Sequence, residues 1–446
     1  YLDENTGATK NPTGSLAYYW WYRTDILTPK FDALDFSGVT NITGFRFSGL
    51  TSFPSVSWDS LEAWGIAYVF WGCANLESIG TPTGDTSGPL YYPNAFSGCY
   101  SLTSMPFIDT SDALQFNSAW YRCESLTSFP ALDLSSGTDF TSAWYGCSAL
   151  ATMPAIPLTA GTTFDAAWNG CSSLTSFLAT GLNSGTNFSS AWQSCTSLAT
   201  FPAIPLTAGT NFYFAWQGCT SLTSFLATGL DSGTSFYGTW WGCTSLATMP
   251  ALALTAGTNF TNAWKGCTSL TSFLATGLNS GTNFGYTWSG CSSLATFPAI
   301  PLTAGTSFFA AWNGCTSLTS FGPTGLDSGT DFRYAWQNCN SLATFPAIPL
   351  TAGTRFDYAW INNSSLTSFL ATGLDSGTNF TGAWYQCTSL ATMPAIPLTA
   401  GTNFSSAWYG CTSLTSFLAT GLNSGTNFSQ AWDNTRIVNF PALDLS

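Results

Sequence analysis

Residues 188–211, FSSAWQSCTSLATFPAIPLTAGTN, are the unit from which most of this chain is built, because close copies of the stretch follow one another end to end. A fixed period between about 20 and 50 residues marks a solenoid, in which no unit can bury its own apolar face and each stacks on its neighbours. Within the unit the apolar residues change rhythm. Phe188, Ala191, Trp192 and Cys195 recur at i, i+3, i+4 and i+7, a spacing that predicts a short helix of about two turns with one buried stripe. Thr186 or Asn187 is the expected N-cap. SLATFP, 197–202, predicts a short strand, and the following PAIPLTAGT predicts a loop whose prolines and glycines fix the return path. A two-turn helix does not hold alone, so burial against neighbouring coils has to hold it.

Outward from this unit, Leu126, Leu150 and Leu174 begin a 24-residue spacing that runs to Val438, and the strand and loop alternate between two versions, giving a 48-residue double unit. Upstream the copies degenerate, and Leu50, Leu76 and Leu102 are 26 residues apart. The expected organisation is therefore an N-terminal cap over 1–32, degenerate repeats over 33–125 and regular repeats over 126–446, about seventeen coils in all. The aromatic run Tyr18, Tyr19, Trp20, Trp21, Tyr22 suits a cap that covers an open sheet edge. The chain starts at Tyr1 and stops at Ser446 inside a repeat, which reads as a piece of something longer.

The residues carry a resemblance. The turn Ala143, Trp144, Gly146, Cys147, the strand Ser125, Leu126, Phe129, Pro130, and the following ALDLSSGT of 131–138 resemble BspA-like leucine-rich repeats, over about residues 33–446. Trp stands where that family more usually has Phe or Met, and the loop is richer in Pro and Ala. The resemblance implies a curved parallel β-solenoid of leucine-rich-repeat type, each coil a short strand plus a short helix, on a cell-surface or adhesive protein. It implies no particular ligand.

Composition narrows the function. Only 7% of residues are charged and the net charge is −13, with nine Lys plus Arg spread from Lys10 to Arg436. Nucleic-acid binding needs clustered basic residues, and an anionic membrane surface needs them too, so neither is an expected partner. No apolar run approaches the length of a membrane span. A surface made mostly of Ser, Thr, Asn and Gly fits an extracellular, cell-surface or virion setting. With no His in the chain, the usual general base is missing and no metal or other cofactor is expected. Asp231, Asp327 and Asp375 share one loop position with Asn183, Asn279 and Asn423. That exchange points to a turn role rather than to acid–base chemistry or calcium binding. A glycan-cleaving spike is the third reading, and no catalytic residue is expected.

The fourteen cysteines, Cys73 to Cys411, take the last position of the apolar stripe, where Asn363 and Thr435 replace Cys in two coils. Stacked side chains pointing the same way rarely meet disulfide geometry. They read as a ladder of buried thiols filling space. The recurring Trp reads likewise as core. Sequons at Asn41, Asn187, Asn259, Asn363, Asn379, Asn403 and Asn427 carry meaning only in a protein secreted by a eukaryote.

Diversity lies elsewhere in the unit. Counting from its Phe, positions 1, 4, 5 and 8 hardly change while 2, 3 and 6 change in nearly every copy, and about 100° per residue puts these three on the face opposite the core. They hold the candidate binding residues Tyr213, Phe214, Gln217, Tyr237, Trp241, Lys265, Tyr286, Phe309, Arg333, Tyr334, Gln337 and Tyr358. Drift at exposed positions is the competing explanation. It does not readily favour large rings on a solvent face, whereas recognition surfaces do. The expected function is an extracellular adhesin or receptor-binding solenoid, a cell-surface or phage-fibre segment, with a glycan or protein ligand. The alternative is a structural filament or surface-layer subunit that self-associates through the same strip.

Overall fold

A computed structural model describes residues 49–55, 66–83, 91–438 and 440. The expected cap over 1–32 and the sequon at Asn41 lie outside the described residues. The chain divides into two compact units, Tyr1–Gly229 and Leu230–Ser446, each a stack of parallel coils. The described residues take in about fifteen of the expected turns.

In the first unit the strands are β1 (Ser52–Phe53), β2 (Ser78–Ile79), β3 (Thr152–Met153), β4 (Ser176–Phe177), β5 (Thr200–Phe201) and β6 (Ser224–Phe225). They pair in parallel as β1–β2, β3–β4 and β5–β6, with Phe201 opposite Phe225. The second unit repeats the pattern with β7 (Thr248–Met249), β8 (Ser272–Phe273), β9 (Thr296–Phe297), β10 (Ser320–Phe321), β11 (Thr344–Phe345), β12 (Ser368–Phe369), β13 (Thr392–Met393) and β14 (Ser416–Phe417). A second column of parallel bridges, such as Asn187↔Asn211 and Asn379↔Asn403, ties the coils where each Phe column begins.

The expected helix is not there. Among the described residues no α-helix occurs, and Phe188–Cys195 is a ribbon of overlapping β-turns. Alternate amides close turns within the coil, Ala191 onto the Phe188 carbonyl at 3.1 Å and Cys195 onto Trp192 at 3.2 Å. The others, on Phe188, Ser190, Trp192 and Ser194, donate to Asn211, Tyr213, Ala215 and Gln217 of the next coil at 2.7–2.9 Å. The reason is hydrogen-bond economy. A two-turn helix leaves four amides and four carbonyls without partners, whereas this ribbon hands alternate amides to its neighbour. It requires left-handed backbone at positions 3 and 7, as at Ser190 (φ 53°) and Ser194 (φ 60°), and Gly fills position 7 in Gly146, Gly170, Gly218, Gly266 and others. Asn187 is likewise no helix cap: its Oδ1 accepts the Ser189 amide at 3.1 Å and the Asn211 Nδ2 at 3.1 Å, so it closes an Asx turn and joins an amide ladder. Short 3-10 turns occur instead in the loop, as at Leu182–Ser184 and Leu278–Ser280.

The apolar spacing survives because the ribbon still turns residues 1, 4, 5 and 8 inward. Phe188, Ala191, Trp192, Cys195, Leu198 and Phe201 are all fully buried. Trp rings stack on Trp rings from coil to coil, 5.3 Å for Trp168–Trp192 and 5.4 Å for Trp384–Trp408. Strand Phe rings stand edge-on to them, as in Phe201 against Trp192 at 4.8 Å and 75°. Each buried Trp removes about 150–250 Å² from water, an upper estimate of roughly 4–6 kcal/mol at about 25 cal/mol/Å².

The cysteines are buried thiols and do more than fill space. Cys195 Sγ donates to the Trp168 carbonyl of the preceding coil at 3.2 Å, and the same bond recurs at Cys219, Cys267, Cys291 and Cys411. At Asn363 the pattern breaks: the side chain is fully buried and neither amide atom has a partner.

Candidate functional site

The candidate side chains at positions 2, 3 and 6 reach the surface, while Asn262 and Ala310 at position 3 and Asp357 at position 2 are buried. Tyr213 is 40% exposed, and the other candidate side chains are half-buried.

In the first unit Tyr213 and Phe214 lie side by side with centroids 4.3 Å apart. Phe214 takes the left-handed conformation at φ 54°, unusual for a bulky residue. Gln217 belongs to a ladder of amides, in which Asn169 donates to Gln193 at 2.8 Å and Gln193 donates to Gln217.

The second unit holds the rest. Lys265 Nζ sits between two rings, 4.9 Å from the centre of Trp241 and 4.6 Å from the centre of Tyr286. Tyr286 meets Phe309 edge-on at 5.1 Å, Phe309 meets Tyr334 edge-on at 5.8 Å, and Tyr334 stacks on Tyr358 at 5.2 Å. Arg333 lies over the Phe309 ring at 4.8 Å while its guanidinium forks onto Asp331 at 2.9 and 2.7 Å. Those bonds and the neighbouring carboxylate hold its pKa above the ordinary arginine value. Tyr358 covers Gly382, where a Cβ would collide with the ring, so this glycine is what lets the row of rings end flat. Gln337 accepts from Asn313 at 3.0 Å in a second amide ladder. Tyr237 is half-buried one residue before the buried Gly238. Trp241, Lys265, Tyr286, Phe309, Arg333, Tyr334 and Tyr358 thus form one continuous row of rings and cations. Gln217 and Gln337 are engaged with neighbouring coils.

Two outward features escaped the sequence reading. Tyr121–Tyr145 and Tyr385–Tyr409 stack at 4.9 Å at position 6 of other coils. Leu178 and Leu226 in the first unit, and Leu274, Leu370 and Leu418 in the second, stand 46–51% exposed just after the strands. Their alternation with Pro was visible, but a two-residue strand does not announce which way the following residue points.

The loop position shared by Asp and Asn contributes its backbone. The Asp231 carbonyl accepts from Thr255 at 3.3 Å as the Asn183 carbonyl accepts from Thr207 at 3.2 Å, so either side chain serves. No group of three or more metal-ligating side chains occurs among the described residues, nor is any described helix long and apolar enough to cross a membrane.

The profile of the BspA type leucine rich repeat region matches residues 28–151, in 6 copies. A search of curated proteins finds no match. Among solved structures the chain is similar to a leucine-rich repeat protein from Bacteroides ovatus, at 16% identity over 82% of this chain and 78% of that one, with a TM-score of 0.45. It is also similar to an internalin from Listeria monocytogenes, at 12% identity over 76% and 86% with a TM-score of 0.26. A leucine rich cell surface protein from Faecalibacterium prausnitzii matches at 14% identity over 83% and 79%, with a TM-score of 0.21. Residues 28–151 thus match the BspA type leucine rich repeat region, and beyond them the 24-residue spacing that begins near Leu126 runs on to Trp432.

Proposed function

We propose that the chain is the recognition segment of an extracellular adhesion or receptor-binding protein, a non-enzymatic solenoid that offers a row of rings and cations to a glycan or protein ligand. The observation that carries this reading is the contrast inside one turn ribbon. Positions 1, 4, 5 and 8 repeat the same buried residues, while 2, 3 and 6 bring Trp241, Lys265, Tyr286, Phe309, Arg333, Tyr334 and Tyr358 into one outward row. Rings anchored in this way lose little conformational freedom on binding, which favours them as contact residues.

The test is the simultaneous replacement of Tyr213, Phe214, Trp241 and Tyr334 by Ser in the whole chain, followed by binding to cells and to arrayed glycans. Loss of binding with an unchanged circular-dichroism spectrum and unchanged self-association is the expected result. Retained binding overturns the proposal. Loss of filament formation would instead support a structural or surface-layer subunit.

A further inference from the structure

From the row in the second unit we infer a subsite for a carboxylated sugar, built by Trp241, Lys265, Tyr286 and Asn262, and this rests on the recognition role proposed above. The argument starts from charge. The other cation of the row, Arg333, is already paired with Asp331 at 2.7 Å, and the nearby Arg355 is paired with Asp357 at 3.1 Å. Lys265 has no ion pair among the described residues and is held only by ring faces. In a chain of net charge −13 it is an isolated positive point, fixed in place, with ammonium donors to spare.

A second, independent feature lies in the same coil as Lys265, three residues earlier. Asn262 occupies position 3, the place that Tyr286 takes in the next coil, and its carbonyl closes the turn by accepting the Lys265 amide at 3.1 Å. The residue is only 7% exposed, and its Oδ1 is buried with no hydrogen-bond partner. Such an atom is costly to leave unmatched. The preceding residue of its column, Gly238, has no side chain to offer a donor, and the following one, Tyr286, is turned to Lys265. An incoming hydroxyl supplies the missing donor.

One sugar ring carries all three complements. A carboxylate meets the Lys265 ammonium, a hydroxyl meets Asn262, and the C–H face meets an aromatic ring. Coils follow one another at roughly 5 Å, a step that one sugar ring spans. An acidic peptide brings its carboxylate on a flexible side chain with no donor fixed beside it.

The experiment measures binding of the full chain to a tetra-galacturonate, to its methyl ester and to a glutamate tetrapeptide by titration calorimetry. Expected are binding of the uronate, at least a tenfold loss with the ester, at least a tenfold loss with Lys265→Gln, a smaller loss with Asn262→Ala, and weakening by salt. Equal binding of the ester, or tighter binding of the peptide, overturns the assignment. So does an unaltered Lys265→Gln protein. Urea midpoints of both variants show whether they remain folded. If Lys265→Gln keeps cell binding that the Tyr213, Phe214, Trp241 and Tyr334 variant loses, the subsite falls while the recognition row stands.

Discussion

Asn363 stands in the cysteine ladder between Cys339 and Cys387, and its two amide atoms are buried without partners. Its neighbours show what the position wants: Cys339 donates to the Trp312 carbonyl at 3.3 Å and Cys387 to the Trp360 carbonyl at 3.1 Å. Asn363→Cys replaces two stranded polar atoms with one donor of the right reach. It is expected to stabilise the fold by about 1–3 kcal/mol, seen as a higher urea midpoint with an unchanged slope; an unmoved or lower midpoint would refute this account. Burial also closes the sequon at Asn363 to glycosylation in the folded chain. The sequence showed that this column is core, since Cys recurs there at a fixed spacing. It did not show that the thiols are donors, because a period tells which residues share a column and not which carbonyl lies above them.

At the scale of the element, the apolar spacing was read correctly for burial and incorrectly for backbone. Spacing at i, i+3, i+4 and i+7 is compatible with a helix and with a ribbon of β-turns that places the same residues inward. The discriminating signal was the residue before each Cys, so often Gly, which a helix disfavours and a left-handed turn requires. A mutation at Gly266 turns this into a test of sign. Its φ is +72° and only the Gly242 backbone lies near a new Cβ, at 4.0 Å, so Gly266→Ala meets no steric obstacle. In a helix that change would stabilise by about 1 kcal/mol; in the ribbon it is expected to destabilise by about 1–2 kcal/mol. Gly257→Ala is expected to cost more, because its Cβ would strike Phe260 and lie 3.1 Å from the Leu254 carbonyl. Urea midpoints of both variants check the sign of the first and the order of the two. The same misreading explains why the candidate row was found yet its internal pairing was not. Positions 2, 3 and 6 were identified as outward, but Lys265 lying between Trp241 and Tyr286, and Gln337 bonding to Asn313, depend on how one coil sits on the next.

For the whole molecule, repetition multiplies small terms, and the thiols make this measurable. Burial drives the pKa of Cys219, Cys267, Cys315 and Cys411 from 9.0 up to about 12, against a smaller lowering by backbone hydrogen bonds, and drives Cys171, Cys195, Cys291 and Cys339 well above 9.0. The sign follows from which state holds the proton. Below the unfolded thiol value of 9.0 both states are protonated, and the contribution to stability is fully present. Between 9.0 and about 12 the unfolded chain releases protons that the folded chain retains, so stability falls as pH rises, by about 1.4 kcal/mol per pH unit for each such thiol. The urea midpoint is therefore expected to change little from pH 7 to pH 8 and to drop steeply by pH 10. Replacing Cys219, Cys267, Cys315 and Cys411 together by Ala removes four of the contributing thiols. The variant should start lower at pH 7, having lost four hydrogen bonds to Trp carbonyls, and should lose less on going to pH 10. An identical fall in both proteins would mean that the ladder does not hold its protons.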